Sequence, residues 1–225
     1  MRIITGSARG ANIITLEGEH TRPTAERTKE ALFSMLQFEI EGRKVLDLFA
    51  GSGQLGLEAL SRGAAHCTFI DNTREAVDIV IKNAKNVKLF DRARVSSVDY
   101  AAFLKSAAGK EQYDIIFLDP PYDAGYMAKA LRLIADGDLL AYGGKIVCET
   151  DNGEMPRGKK KGKKEDDPAK VTEQVFGGDA ELEARFDGAG DFRCFFMMAL
   201  PLTKASLITV LFNKIQFPPD FIGTE

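Results

Sequence analysis

The feature that most constrains the fold is a regular alternation, from Lys44 to Glu149, of short apolar segments with amphipathic ones. Five segments have the length and composition of β-strands: KVLDLF, HCTFID, ARVSS, YDIIFL and GKIVCE. Between them lie segments with helical periodicity: QLGLEALSRG, REAVDIVIKNAKNV, YAAFLKSA and AKALRLIADG. Because strands joined by helical crossovers run parallel in one sheet, the sequence predicts an α/β Rossmann-like fold. We expect a mostly parallel central sheet with helices on both faces.

The regions before and after this alternation have a different character. RIIT and NIITL are β-branched runs that predict a short hairpin, and TRPTAERTKEALFSMLQF predicts a helix with Thr24 as its N-cap. After about residue 150, RGKKKGKKEDDP lacks periodicity and predicts an exposed loop, while FRCFFMMAL and SLITVLF suggest late strands. We therefore predict an N-terminal extension over residues 1–40 and a main domain over 41–225 that is atypical after about 150.

Composition excludes several classes of protein. The net charge of the 225 residues is −3, so any contact with nucleic acid must come from local basic patches. Cys67, Cys148 and Cys194 share no metal-ligand spacing, which predicts reduced, buried thiols and no metal site. No apolar run is long enough to span a bilayer or to form a signal peptide, so we expect a cytoplasmic protein without a membrane partner.

A glycine-rich loop follows the first predicted strand of the sheet. In DLFAGSGQLGLEAL, Gly51, Gly53 and Gly56 form a G-x-G-x-x-G pattern that opens a helix, as in nucleotide-binding loops. The next strand ends at Asp71, where a carboxylate can bind ribose hydroxyls. NAD is one candidate ligand, but Asp47 at the loop entry would repel a pyrophosphate. The acid is better suited to a ligand with a cationic amino-acid end, such as S-adenosylmethionine.

The segment FLDPPYDAGY raises a second functional hypothesis. Pro120 and Pro121 cannot continue a central strand, so the strand YDIIFL must stop at Asp119. The resulting stiff turn presents a carboxylate, rigid backbone carbonyls and the ring of Tyr122. These groups are suited to holding a flat ring that bears an amine.

Four motifs together carry a resemblance to a known family. DLFAGSGQLGLEALSRGA is similar to the first motif of class I S-adenosylmethionine-dependent methyltransferases, and DPPY resembles their N-methylating catalytic motif. With MRIITGSARG and TRPTAERTKEALFSML, residues 1–150 resemble the RsmD family. Members of that family methylate N2 of a guanine in small-subunit ribosomal RNA. The resemblance implies a class I methyltransferase fold, and it ends at about residue 150.

The resemblance also implies roles for individual residues. The loop from Asp47 to Gly53 would hold the methionine part of the cofactor, Asp71 the ribose, and Ser97 to Asp99 would lie by the adenine. The expected cofactor-binding residues are Asp47, Phe49, Gly51, Ser52, Gly53, Asp71, Asn72, Val98 and Asp99. The expected catalytic residues, which would take the target base, are Asp119, Pro120, Pro121 and Tyr122.

Cationic residues in the first thirty positions predict a contact with RNA. They are Arg2, Arg9, Arg22, Arg27 and Lys29. A phosphate near the N-terminus of the first helix would gain from both the helix dipole and a guanidinium. The expected partner is small-subunit rRNA within an assembled or assembling ribosomal particle, and we expect the protein to be a monomer.

Two other functions stay open on the sequence alone. DPPY also serves in adenine-N6 DNA methyltransferases, although the chain lacks an evident domain for DNA specificity. A non-catalytic RNA-binding assembly factor could keep the cofactor fold, but an intact Asp119–Tyr122 motif argues against lost catalysis.

Overall fold

The computed structural model describes residues 1–16, 23–120, 124–150 and 194–199. The helices in these ranges are α1 (Pro23–Met35), α2 (Gln54–Ser61), α3 (Arg74–Asn86), α4 (Tyr100–Ala107) and α5 (Ala124–Asp136), with a 3-10 turn at Phe90–Arg92. The strands are β1 (Lys44–Asp47), β2 (His66–Asp71), β3 (Ala93–Ser97), β4 (Tyr113–Leu118), β5 (Leu140–Thr150) and β6 (Cys194–Ala199). Each predicted strand and helix of the alternating region is present.

The strands form one sheet in the order β3-β2-β1-β4-β5-β6. The first five strands pair in parallel, and β6 pairs antiparallel to β5. The chain reverses its direction of winding between β1 and β4, which are neighbours in the sheet. Ligands of open α/β sheets bind in the crevice at such a switch point, beyond the carboxyl ends of the strands.

Both faces of the sheet are covered, as the unbroken apolar strands require. Val45 and Leu46 are adjacent in β1, have no exposed surface and belong to different clusters of buried residues. The cluster with Leu46 includes residues of α4 and α5, and the cluster with Val45 includes residues of α1, α2 and α3. Successive side chains of a strand point to opposite faces of the sheet, so these two clusters show that helices cover both faces.

The N-terminal extension packs on the face that α2 and α3 cover. Arg2 and Asn12 form an antiparallel bridge, which confirms the predicted hairpin. Ile3 and Ile13 are buried in the same cluster as Phe33 of α1. One expectation is wrong: α1 begins at Pro23, so Thr24 lies in its first turn and is not the N-cap. Proline is favoured at the first helical position because its φ is preset and its missing N–H is not needed there.

The strand ends differ in detail from the expected ones. β1 ends at Asp47, because Leu48 and Phe49 already belong to the turn into the glycine loop. β5 begins earlier than GKIVCE, with a register shift against β4. The strand expected in FRCFFMMAL is present as β6, whereas SLITVLF and the lysine-rich run lie outside the described residues.

The described residues contain neither a membrane-spanning helix nor a metal-ligand cluster. No helix among them is long and apolar enough to cross a membrane. Within the same ranges, no group of three or more His, Cys, Asp or Glu side chains could hold a metal ion.

Candidate active site

A cavity of about 370 Å³ opens at the carboxyl ends of the parallel strands, beside the switch point between β1 and β4. The residues that line it are Met1, Asp47, Leu48, Phe49, Ala50, Gly51, Ser52, Gln54, Leu55, Asp71, Asn72, Val98, Asp99, Tyr100, Asp119, Pro120 and Tyr126. Both motifs that the sequence singled out, the glycine loop and the segment after β4, therefore meet at one cavity.

The glycine loop turns the chain from β1 into α2. Gly51 and Gly53 have φ angles of 51° and 79°, in the left-handed region that glycine adopts without strain. Gly56 has a different function, because a Cβ atom there would lie 2.3 Å from the ring of Phe69 on β2. The third glycine of the pattern thus lets α2 pack closely on the sheet.

Asp47 fastens the loop to the end of β1. Its side chain is buried, and Oδ2 accepts a hydrogen bond of 3.0 Å from the Gly56 amide in the first turn of α2. The carboxylate also lines the cavity. Asp47 therefore combines a structural contact with a negative charge at the cavity wall, where a cationic ligand group would be favoured.

Asp71 joins the glycine loop to the start of α3. Oδ2 accepts a hydrogen bond of 3.0 Å from the Gly51 amide, and Oδ1 accepts bonds of 2.9 Å from the amide and the hydroxyl of Thr73. A carboxylate has about four lone-pair sites, so the fixed side chain keeps the capacity to accept from a ligand hydroxyl. Asn72, beside it, also lines the cavity.

Val98 and Asp99 form the next part of the wall. The Val98 amide donates to the Asp71 carbonyl over 2.9 Å, which ties this turn to the end of β2. Asp99 caps α4, since its Oδ1 accepts from the amides of Ala101 and Ala102 at 3.0 Å each. Ser97, by contrast, pairs with Asp71 in the sheet and is not among the lining residues.

Ser52 carries a buried polar atom that the described protein does not satisfy. The residue is 1% exposed, and its Oγ atom has no hydrogen-bond partner among the described residues. An unpaired buried hydroxyl is costly, and a polar ligand in the cavity would supply its partner. Together with the carboxylates of Asp47 and Asp71, this hydroxyl fits a small polar ligand that bears a cationic group and ribose hydroxyls.

Asp119 and Pro120 follow directly after β4 and line the same cavity. Asp119 is half-buried and Pro120 is buried, so the sheet fixes both at the rim of the glycine-loop site. Pro121 and Tyr122 lie outside the described residues, and their predicted roles stay predictions.

The cavity wall contains an aromatic group in which Phe49 was predicted from the sequence, but Tyr100 and Tyr126 were not. Phe49, Tyr100 and Tyr126 contact one another, with centroid distances of 5.1 Å, 5.6 Å and 6.4 Å. Burial raises the pKa of Tyr100, with further contributions from Asp99 and Tyr126, so its hydroxyl stays neutral. A signal for Tyr126 was present in the sequence, because it is the last residue of FLDPPYDAGY.

The predicted RNA-binding residues are not equivalent in the structure. Arg2 and Arg9 are exposed on the hairpin. Arg22 lies outside the described residues, and for Arg27 only the helical backbone is described. The expectation for Lys29 conflicts with the structure, because the side chain is 1% exposed and its Nζ donates to the Arg2 carbonyl over 2.8 Å. This ammonium is buried in a contact within the protein and is not accessible to RNA.

Glu58 of α2 explains why Lys29 is buried. The carboxylate has no exposed surface and lies 3.7 Å from Lys29 Nζ and 2.8 Å from Arg62 Nε. It also accepts hydrogen bonds from the amides of Ile4 (2.7 Å) and Thr5 (3.0 Å) of the hairpin. The acid therefore anchors the N-terminal extension to the helix that follows the glycine loop.

Asn83 of α3 makes a second link between the hairpin and the loop. Its buried carboxamide accepts from the Ile14 amide and donates to the Ile14 carbonyl, both over 2.8 Å. It also donates to the Ser52 carbonyl over 3.0 Å. The backbone of the cavity loop is thus held by the same side chain that holds the hairpin.

The comparison with protein families decides the classification. The model of the family described as "Conserved hypothetical protein 95" matches residues 1–170. The chain belongs to this family, which is the RsmD family that its motifs resemble. The match covers the hairpin, α1 and the parallel sheet, and it confirms the resemblance.

Individual relatives agree with this classification. The chain is 42% identical over 152 residues to the Bacillus subtilis protein named "Putative rRNA methyltransferase YlbH". The aligned residues cover 67% of this chain and 83% of the relative. It is 36% identical over 152 residues to "Ribosomal RNA small subunit methyltransferase D" of Haemophilus influenzae, covering 67% of this chain and 79% of the relative.

The solved structure of "Putative methyltransferase yhhF from Escherichia coli" superposes with a TM-score of 0.69 at 30% identity, covering 88% of this chain and 97% of that one. The class I methyltransferase fold that the sequence resemblance implied is confirmed.

Proposed function

We propose that this chain transfers a methyl group from S-adenosylmethionine to the exocyclic N2 of a guanine in small-subunit rRNA. One observation carries the proposal: Asp119 and Pro120 line the same cavity as Asp71 and the glycine loop. In this proposal, the cofactor site at the glycine loop and the site for an amine-bearing ring at Asp119 are adjacent. The names of the family relatives, which describe rRNA methyltransferases, support RNA as the substrate class.

Binding of the cofactor would use the charges and hydrogen-bonding groups of the cavity wall. Asp47 and the orphaned Ser52 hydroxyl suit the methionine end, and Asp71 with Asn72 suits the ribose. Val98 and Asp99, beside the Phe49 and Tyr100 rings, form the wall for the adenine. When bound there, the cofactor supplies an electrophilic methyl group on a sulfonium.

The chemistry required of the protein is the orientation of a weak nucleophile. The lone pair of an exocyclic amine is delocalised into the ring, so the amine must be held in one orientation. We assign the Asp119 carboxylate and the Pro120 carbonyl as acceptors for the two amine hydrogens. As the nitrogen gains positive charge, these acceptors stabilise it.

Contacts with the rest of the RNA are assigned to the N-terminal hairpin. Arg2 and Arg9 are exposed there, and the hairpin is fixed to α2 through Glu58. Met1 of the same hairpin lines the cavity, so this surface adjoins the proposed cofactor site. A paired target base would have to leave its helix to reach Asp119.

A labelling experiment tests the proposal. The protein is incubated with radiolabelled S-adenosylmethionine and, separately, with naked small-subunit rRNA, ribosomal particles or DNA, and the labelled nucleoside is then identified. Label in N2-methylguanosine from the RNA samples is expected. Label in N6-methyladenosine of DNA would support the alternative activity, and cofactor binding without any transfer would support a non-catalytic assembly factor.

A further inference from the structure

Tyr126 is an exposed aromatic residue in the wall of the proposed active site. Its side chain is 40% exposed although it lines the cavity, so it lies where the cavity opens to solvent. The rings of Phe49 and Tyr100 support it in T-shaped contacts, with interplanar angles of 73° and 71°. Neither contact is a parallel stack, so neither ring is laid flat against Tyr126.

The position of Tyr126 in the chain associates it with the acceptor of the methyl group. It lies in the first turns of α5, in the connection that leaves β4 through Asp119 and Pro120. Tyr100, by contrast, is the first residue of α4, directly after the N-cap Asp99, and is 6% exposed. The buried ring therefore belongs to the cofactor side of the cavity, and the exposed ring to the side where the substrate enters.

A cation lies beside the aromatic group of Phe49, Tyr100 and Tyr126. Lys129 is exposed on the same side of α5, three residues after Tyr126, and its Nζ is 5.7 Å from the centroid of Tyr100. The cavity wall itself carries four carboxylates, of Asp47, Asp71, Asp99 and Asp119. A polyanion approaching this wall meets repulsion, which an ammonium at the rim offsets.

We infer that Tyr126 and Lys129 form a nucleotide-binding surface on α5, where Tyr126 stacks on a base of the RNA and Lys129 pairs with a phosphate of the same strand. Single-stranded nucleic acid is commonly held by such a combination of an aromatic ring and a cation. The inference rests on the proposed function, and it adds a second RNA contact to that of the hairpin.

The test compares Tyr126→Ala and Tyr126→Phe with a matched control, Tyr142→Ala. Tyr142 is 61% exposed near the amino end of β5, whereas the cavity opens at the carboxyl ends of the parallel strands. Methylation of undermethylated small-subunit rRNA gives KM and kcat, and calorimetry gives the affinity for S-adenosylhomocysteine. Because stacking on one ring is worth about 5- to 150-fold in affinity, we expect the KM for RNA of Tyr126→Ala to rise by that order. Tyr126→Phe keeps an aromatic ring and should raise the KM far less than Tyr126→Ala does, whereas Tyr142→Ala should keep the wild-type KM. The affinity for S-adenosylhomocysteine should change little in all three variants.

The salt dependence of RNA binding tests the assignment of Lys129. In the Lys129→Gln variant one phosphate contact is lost. The slope of log affinity against log salt concentration should therefore become shallower by about 1. An unchanged slope would remove Lys129 from the surface.

Three results would overturn the assignment of Tyr126. The first is an unchanged KM for RNA in Tyr126→Ala, and the second is an equal rise of this KM in Tyr142→Ala. The third is a Tyr126→Ala variant that loses only cofactor affinity, which would assign the ring to the adenine. Binding of the same rRNA in the presence of S-adenosylhomocysteine is measured for all variants. If the wild type binds RNA without methylating it, the proposed function fails while the binding data still test Tyr126. If it neither binds nor methylates the rRNA, both proposals fail.

Discussion

At the scale of single residues, Asp119 has the position that a catalytic acceptor needs. It follows a strand that pairs with β1 on one side and β5 on the other, and it precedes Pro120, so the sheet and the proline both limit its backbone. It is half-buried at the cavity rim, where a carboxylate can face both solvent and ligand. Its side chain should therefore matter for transfer much more than for folding.

The first prediction concerns the removal of this acceptor. Asp119→Ala is expected to lower the methyl-transfer rate by about 10²- to 10³-fold, the usual cost of losing one preorganised electrostatic contact. Single-turnover assays with labelled cofactor measure the rate, and calorimetry should show nearly unchanged cofactor affinity.

Asp119→Asn keeps one acceptor oxygen but cannot take up a proton. Partial activity in this variant would indicate that orientation dominates, and complete loss would indicate proton acceptance. Wild-type methylation by Asp119→Ala would contradict the catalytic assignment.

The second prediction concerns Asp71. Asp71→Ala should weaken S-adenosylmethionine binding by about 1–3 kcal/mol, because a charged hydrogen-bond acceptor for the ribose is lost. Calorimetric titration measures this change. Asp78→Ala is the control, since Asp78 is an exposed acid that pairs with Arg74 on α3 and does not line the cavity. Equal affinities of the two variants would exclude Asp71 from cofactor binding.

At the scale of elements, the N-terminal hairpin is held by buried polar contacts of two helices. Glu58 of α2 accepts hydrogen bonds from two hairpin amides and forms ion pairs with two cationic side chains. Asn83 of α3 forms hydrogen bonds to both Ile14 and the Ser52 carbonyl. The hairpin approaches the end of α2 closely at Gly6, where a Cβ atom would lie 1.9 Å from the Ser61 carbonyl oxygen. The hairpin and the glycine loop are therefore parts of one packed unit.

The third prediction tests this anchoring. Glu58→Ala should lower the free energy of unfolding by about 3–5 kcal/mol, because it removes a buried carboxylate that lies beside the buried Lys29 ammonium and accepts two hairpin amides. Asp78→Ala removes an acid from an exposed Arg–Asp pair of the same i,i+4 spacing and should cost at most about 1 kcal/mol. Urea unfolding of both variants measures the difference, and similar losses would show that Glu58 does not anchor the hairpin.

At the scale of the whole molecule, charge determines where RNA can approach. The net charge is −3 and the cavity wall is acidic, so attraction must come from local cations. Exposed Arg2 and Arg9 lie on the hairpin and Lys129 on α5. The run from Arg157 to Lys164, which carries six positive charges, lies outside the described residues.

The fourth prediction concerns this run. Replacing its five lysines with glutamine should weaken RNA affinity and flatten its salt dependence, because fewer counterions are released on binding. Filter-binding assays over a range of salt concentrations measure the slope. Cofactor affinity serves as the internal control and should not change. If the slope stays constant, the run takes no part in RNA binding.

The sequence by itself determined the elements of the sheet and the family. Apolar runs of strand length alternate with amphipathic helices, and both signals are local, so β2, β3 and β4 were predicted at their observed bounds. The glycine pattern predicted the sharp turn after β1, because glycine adopts the positive φ that Gly51 and Gly53 show at no steric cost. The prolines after Asp119 predicted the end of β4 for a similar reason.

Only the tertiary structure decided which distant residues meet. Lys29 was expected at an RNA-binding surface, yet its ammonium is buried beside Glu58, because pairing across 29 positions of chain leaves no periodic signal. The contacts of Asn83 with Ile14 and Ser52, and of Tyr126 with Phe49, depend in the same way on the order of strands in the sheet. Local propensity specifies elements, whereas burial and the pairing of polar groups across the fold specify the site.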